Sequence, residues 1–108
     1  MNLLYFSDKK KMGHNTVMVR EEQQNKEYLD YEVKHIVRHS PDGFQWGYGG
    51  SGPSDLALSI LTDYCQRMNI ENIADKYYQQ FKIDFISTAK DKINITSNQI
   101  KEWLCSIT

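Results

Sequence analysis

One short segment of this chain, residues 40–54, holds both of its prolines and five of its six glycines. Helices and strands tend to begin or end where these residues cluster, because proline restricts backbone torsions and glycine releases them. The segment therefore predicts a break between two parts of different character. Residues 1–48 are predicted to be rich in strands, residues 47–53 to form a glycine-rich turn, and residues 54–107 to be helical.

Two strand patterns precede the break. Leu3–Phe6 is a short apolar run and Thr16–Val19 is apolar and β-branched, which predicts a hairpin between them. A weaker alternation of apolar and polar residues predicts a third strand over residues 31–37.

The tetrapeptide Ser40–Gly43 predicts a tight turn that leads into a further strand. Its proline suits the first central position of a type I turn, and Gly43 tolerates the left-handed conformation that closes a hairpin. Large side chains then alternate with smaller residues. This period of two predicts a strand with three aromatic side chains on one face: Phe44, Trp46 and Tyr48.

Helical patterns follow the glycines. Pro53, Ser54 and Asp55 suit the first turn, the cap and the positive end of a helix. Apolar residues recur at helical spacing from Leu56 to Met68. A second helical stripe runs through Ile73, Tyr77, Phe81, Phe85 and Ala89.

The last helix has a specific start signal. Thr96 followed by Gln99 is a capping box, and Ile95 with Ile100 forms the hydrophobic staple that accompanies one. Because strands precede helices, the predicted fold class is α+β. We expect one domain over residues 1–108, with a small antiparallel sheet of about three or four strands packed by about three helices.

Composition excludes several classes of protein. The chain is 40% hydrophobic, which suffices for a core, and its 13 basic and 14 acidic side chains give a pI near 6.3. This balance argues against binding through the nucleic-acid backbone. No apolar stretch is long enough to cross a membrane. Cys65 and Cys105 lie among apolar neighbours and are predicted to be buried reduced thiols, which favours a cytoplasmic protein.

The glycine-rich turn is the conspicuous candidate site. Gly47–Gly52 formally matches G-x-G-x-x-G, but the dinucleotide interpretation needs a parallel βαβ unit, and the phosphate loop needs a lysine that is absent. The turn could be structural, or it could face a ligand or partner. The candidate contact residues are Phe44, Trp46, Tyr48, Gly49, Gly50, Ser51, Gly52 and Ser54.

Catalytic and metal signals are weak. His35 and His39 with His14 or Asp42 could hold a metal, but no metal-binding motif supports this, and we predict no metal and no cofactor. Ser51 lacks the flanking pattern of a nucleophile elbow. We expect no catalytic residues, which favours a protein that is not an enzyme.

Two aspartates are candidates for acid–base chemistry. Asp55 and Asp63 lie eight residues apart and could share a helix face. Such a role would also require burial or a charged partner. Asp55 is more simply explained as a carboxylate near the positive end of the helix dipole.

Residues 39–58 resemble an uncharacterised family of small bacterial and phage proteins, a domain of unknown function with the signature H-S-P-x-G-F-x-W-G-Y-G-G-S-G-P-x-x-L-A-L. The resemblance implies an accessory protein of phages or mobile elements that binds a host macromolecule, most simply a host protein. Two alternatives stay open: a small anionic ligand such as a nucleotide held by the turn and the helix start, and a structural turn with binding through the helices. The Tyr77, Phe81 and Phe85 stripe is predicted to lie in the core, and any part of it left uncovered could form the contact of a homodimer.

Overall fold

The computed structural model describes residues 2–8, 16–40 and 43–108. Within them, four strands form an antiparallel sheet in the order β3-β2-β1-β4. The fold class is α+β, as predicted. The strands are β1 (Leu3–Asp8), β2 (Thr16–Glu22), β3 (Tyr28–Glu32) and β4 (Asn94–Thr96), and the helices are α1 (Ser51–Arg67), α2 (Ala74–Phe81) and α3 (Ser97–Ile107).

The predicted hairpin is confirmed. β1 and β2 pair antiparallel, with Tyr5 opposite Val19. Tyr5, Val17 and Val19 are fully buried, because alternate residues of each strand face the helices. The Tyr5 hydroxyl donates a hydrogen bond of 2.7 Å to Asp63 of α1, which ties the sheet to the helix.

The prediction of a strand over residues 31–37 was wrong about where the strand begins and ends. β3 runs over Tyr28–Glu32, and after the buried Val33 the chain leaves the sheet. The N–H of Ile36 donates to the Ser59 hydroxyl at 2.9 Å instead of to a neighbouring strand. Hydrogen bonds to α1 therefore replace the sheet pairing that the alternation suggested.

The prediction of an aromatic strand over residues 44–48 was also wrong. Gly47 has a φ of +88°, which no strand accommodates, and its N–H donates to the carbonyl of Ile86. Phe44 is 5% exposed and Tyr48 is 49% exposed, so the aromatic side chains do not share one face. Gly43 has a φ of +103°, in the left-handed region expected for it, whereas Pro41 and Asp42 lie outside the described residues.

The short strand β4 was not predicted from the sequence. It pairs with the middle of β1 and leads directly into α3. The capping box at that point is confirmed: the Thr96 hydroxyl accepts from the N–H of Gln99 at 3.1 Å, and the Gln99 side chain accepts from the N–H of Thr96 at 2.9 Å. Ile95 and Ile100, the predicted staple, are both buried.

The second helical stripe is interrupted by a π-helical segment, Lys82–Ile86, which follows α2. The N–H of Ser87 donates to the carbonyl of Lys82, five residues earlier. A π-helical turn contains one residue more than an α-helical turn, so the side chain that faces the core comes one position later than the helical spacing predicts. As a result Phe81 and Ile86 are fully buried, while Phe85 is only partly buried.

The helices supply most of the core. α1 begins at Ser51, earlier than the predicted residue 54, and all of residues 52–61 are buried. Cys65 is a buried free thiol as predicted, but Cys105 is exposed, because it lies away from the face of α3 that carries the buried Ile100 and Trp103. Among the described residues, no helix has the length and apolar character needed to cross a membrane.

The capping box generates a stability prediction. Thr96→Ala removes the side-chain acceptor of the Gln99 N–H, and we expect it to lower the free energy of unfolding by about 1 kcal/mol. Thr96→Ser keeps the hydroxyl and is expected to retain most of that stability. Urea unfolding of the two variants measures the difference, and equal losses would show that the cap contributes nothing.

Candidate functional site

The glycine-rich turn is fixed at its first glycine by the end of the π-helical segment. A side chain at Gly47 would place its Cβ 3.0 Å from the carbonyl oxygen of Ala89. The indole of Trp46, the preceding residue, donates to the carbonyl oxygen of Asp91 at 3.3 Å. Gly47 is therefore required both by its left-handed backbone and by the close approach of another segment.

Two further glycines make room for side chains of the turn itself. A Cβ on Gly50 would overlap the ring of Tyr48, and a Cβ on Gly52 would lie 2.8 Å from the Cβ of Gln45. The Tyr48 hydroxyl donates to the Gln45 side chain. These contacts hold the Tyr48 ring over the start of α1, with about half of its surface exposed.

Gly49 is different from its neighbours. It is exposed and its φ lies outside the left-handed region. Among the described residues, an added Cβ would approach the Ser87 hydroxyl alone, at 3.9 Å, an ordinary van der Waals distance. No contact among the described residues therefore requires glycine at position 49.

The start of α1 offers few groups to an anion. Its N-cap is Gly50, without a side-chain cap, and Pro53 has no N–H. Ser54, predicted as the cap, is buried and its hydroxyl donates to the carbonyl of Gly50 at 3.0 Å. Ser51 is exposed, whereas Gly52 is buried. The anion hypothesis thus depends on fewer accessible donors than the sequence suggested.

The structure separates the predicted contact residues into two groups. Buried members cannot touch a partner without rearrangement, and these are Phe44, Gly52 and Ser54. The others are exposed or partly exposed and form the surface that we call the turn apex, residues 46–51. Its predicted contact residues are Trp46, Tyr48, Gly49, Gly50 and Ser51.

The sequence missed the role of Asp55. Its side chain is fully buried in α1 and accepts hydrogen bonds from the loop that precedes the turn. The donors are the N–H groups of Arg38 at 3.2 Å, His39 at 2.8 Å and Ser40 at 2.9 Å, and the Nε2 of His35 at 3.0 Å. A recognisable signal existed, since a carboxylate within a run of small and apolar helical residues has to find partners in the core.

These donors keep Asp55 ionised. Burial by itself would raise the pKa of Asp55, but the hydrogen bonds from His35 and from the N–H groups of Ser40, His39 and Arg38 outweigh it and lower the pKa below its usual value. An ionised carboxylate only accepts hydrogen bonds, so His35 Nε2 carries a proton. Asp55 therefore serves as an anchor for the loop over residues 38–40.

The other candidate groups also have structural partners. His39 Nε2 lies 2.9 Å from the Tyr78 hydroxyl. Asp63 accepts from Tyr5 and from Arg67, so the structure does not bring Asp55 and Asp63 together as an acid–base pair.

The suggested metal site has no support in the structure. His14 and Asp42 lie outside the described residues. Within the described ranges, His, Cys, Asp and Glu side chains form no group of three that could hold a metal.

Comparison with known proteins identifies one match. A model of a family of unknown function, DUF6166, matches residues 5–106. No curated protein and no solved structure matches the chain. The match covers nearly all of the residues that form the sheet, the helices and the turn.

The glycines of the turn are expected to respond unequally to alanine. Gly47→Ala forces a left-handed backbone and a clash with the Ala89 carbonyl, and we expect a loss of about 1–3 kcal/mol in the free energy of unfolding. Gly49→Ala should change it by less than about 0.5 kcal/mol. Urea unfolding measures both, and similar losses at the two positions would contradict the assignment.

Asp55 generates a prediction with a defined pH dependence. Asp55→Asn replaces one accepting oxygen with an NH2 group, which would face the N–H donors of the loop. We expect the free energy of unfolding at pH 7 to fall by about 3–5 kcal/mol. Because folding lowers the pKa of Asp55, its stabilising effect is complete above the unfolded value of about 3.9 and is lost as the pH falls through the folded value. The difference between wild type and variant should therefore shrink on acidification.

Urea unfolding between about pH 7 and pH 3 tests this dependence. Asp91→Asn, at an exposed position, is the matched control and should change stability by less than about 0.5 kcal/mol. A difference between wild type and Asp55→Asn that stays constant over this range would show that the carboxylate charge is not responsible.

Proposed function

Since this chain belongs to DUF6166, a family of unknown function, we propose from its own geometry that it is a non-enzymatic binding protein whose turn apex, residues 46–51, contacts a host protein. The proposal takes the chain to be an accessory protein of a phage or mobile element that acts in the host cytoplasm. It concerns the exposed residues of the turn and leaves out the buried ones.

Gly49 is the observation that carries the proposal. Gly47, Gly50 and Gly52 each have a neighbouring atom too close for a side chain, whereas a Cβ on Gly49 would meet the described residues only at a van der Waals distance. A glycine is also needed where another backbone or surface approaches closely. An approaching partner accounts for a glycine that the fold itself does not require.

Tyr48 supplies the second argument. Aromatic side chains are common energetic centres of protein interfaces. The Tyr48 ring is half exposed, yet it is held over Gly50 and bonded to Gln45. A side chain already fixed in place loses little conformational entropy on binding, so this arrangement favours recognition.

The acid–base groups near the turn favour binding over catalysis. Asp55 is saturated with donors from its own chain, and His35 and His39 each contact a protein side chain. A general base needs an accessible atom directed at substrate. The hydrogen bonds of these three residues are instead used to shape the loop.

A bulky substitution at Gly49 tests the proposal. Gly49→Arg should block the turn apex without unfolding the protein, because position 49 is exposed and an added Cβ would meet the described residues only at a van der Waals distance. Gln79→Arg, on the exposed face of α2, makes the same change in charge and is the matched control. Thermal unfolding should give both variants the melting temperature of the wild type.

Affinity purification from host cells then separates the outcomes. We expect a host protein that is retained by wild type and by Gln79→Arg and is lost with Gly49→Arg. Retention of the same protein by Gly49→Arg would show that the apex is not the contact surface. Thermal stabilisation of the wild type by phosphate esters, abolished by Gly49→Arg, would replace the host protein with a small anion as the ligand.

A further inference from the structure

Strand β3, Tyr28–Glu32, forms one edge of the sheet and is exposed along its whole length. Three large hydrophobic side chains lie on it: Tyr28 is 60% exposed, Leu29 46% and Tyr31 41%. The opposite edge, β4, is only three residues long. Proteins usually blunt or cover a long apolar edge, because it presents unpaired backbone groups to other strands.

The pairing with β2 shows which backbone groups of β3 face outward. Val33 donates to the Val17 carbonyl, and Gln23 donates to the Glu27 carbonyl. Since both groups of a residue point to the same side in an antiparallel strand, odd-numbered residues of β3 face β2. The N–H and C=O groups of Tyr28, Asp30 and Glu32 therefore point to the outer edge, where no described strand pairs with them.

We propose that β3 binds β3 of a second copy of this chain, antiparallel about a two-fold axis, so that two four-stranded sheets join into one. Strand addition at an exposed edge is a common mode of recognition. A two-fold axis makes the contact self-complementary and closed. Leu29 and Tyr31, which face the helical side but remain exposed, would then be covered by the partner strand.

Strand overlap and charge together favour one register. Centring the pair on Tyr28 would set Asp30 and Glu32 against residues 26 and 24 of the partner, which lie in a turn and not in a strand. With Leu29 on the two-fold axis, Tyr28 lies opposite the partner's Asp30, and the two leucines lie opposite each other. Centring the pair on Asp30 would place two aspartates face to face, and centring it on Tyr31 would place Asp30 opposite the partner's Glu32. Like charges directly opposite each other are destabilising, so the register centred on Leu29 is favoured.

The contact is small and should be weak. Tyr28 and the partner's Asp30 form a backbone hydrogen-bonded pair, and the two-fold axis repeats this pair on the other side of the central leucines. Such a limited interface is at the small end of specific protein contacts, so association is expected at high protein concentration. The proposal is independent of the turn apex, which lies elsewhere in the chain.

Sedimentation equilibrium of the full chain at up to about 100 µM measures the association. We expect a monomer–dimer equilibrium in the wild type. Leu29→Lys and Leu29→Glu, each studied alone, should raise the dissociation constant at least about tenfold, because each places like charges on the axis. Mixing the two variants should restore association.

Ile83→Lys is the matched control, since Ile83 is similarly exposed but lies in the π-helical segment. It should dimerise like the wild type. A wild type that stays monomeric at this concentration overturns the proposal. Dimers that persist in both Leu29 variants also overturn it, because the interface would then lie elsewhere.

Disulfide trapping tests the register separately. In a Cys105→Ser background, which removes the exposed thiol, Leu29→Cys should form a covalent dimer on oxidation, whereas Tyr31→Cys should not. Opposed residues that are not hydrogen-bonded have side chains close enough for a disulfide. Efficient trapping through Tyr31→Cys and not through Leu29→Cys would overturn the register centred on Leu29.

Discussion

The hydrogen bonds to the buried carboxylate of Asp55 are the interaction that fixes the loop between the sheet and α1. A charge with no exposed surface is tolerated only when donors surround it, and here they come from the backbone of residues 38–40 and from His35. Because these groups are held by α1, the chain leaves the sheet after Val33 and crosses the helix. The direction in which it enters the glycine-rich turn follows from this contact.

The turn itself is supported from the other end of the chain. The Gly47 N–H donates to the carbonyl of Ile86, and the Trp46 indole donates to that of Asp91, so the turn apex is held by the end of the π-helical segment and by the chain that follows it. Binding residues are most effective when a rigid scaffold positions them. A dimer through β3 would present two such apices, and two linked contacts hold a partner more strongly than one.

Much of the fold could be predicted because local signals agreed with the tertiary contacts. The β1–β2 hairpin follows from two apolar runs, and α3 begins where its capping box places it. Period-two alternation failed over residues 44–48, because it describes side chains and carries no information on the positive φ of Gly47. The helical stripe correctly placed Phe85 against the core, but it did not indicate that one extra residue in a π turn makes Ile86 the fully buried side chain.

The sequence by itself determined the elements whose cause lies within a few residues: where the glycines allow a turn, where Thr96 begins a helix, and which two apolar runs form the β1–β2 hairpin. Only the tertiary structure decided which carboxylate captures the loop and which part of the turn faces outward. Asp55 meets Arg38, and Gly47 meets Ile86, across long stretches of chain. Such contacts are selected by packing and by the need of buried polar groups for partners. A local sequence pattern carries no information on either of these.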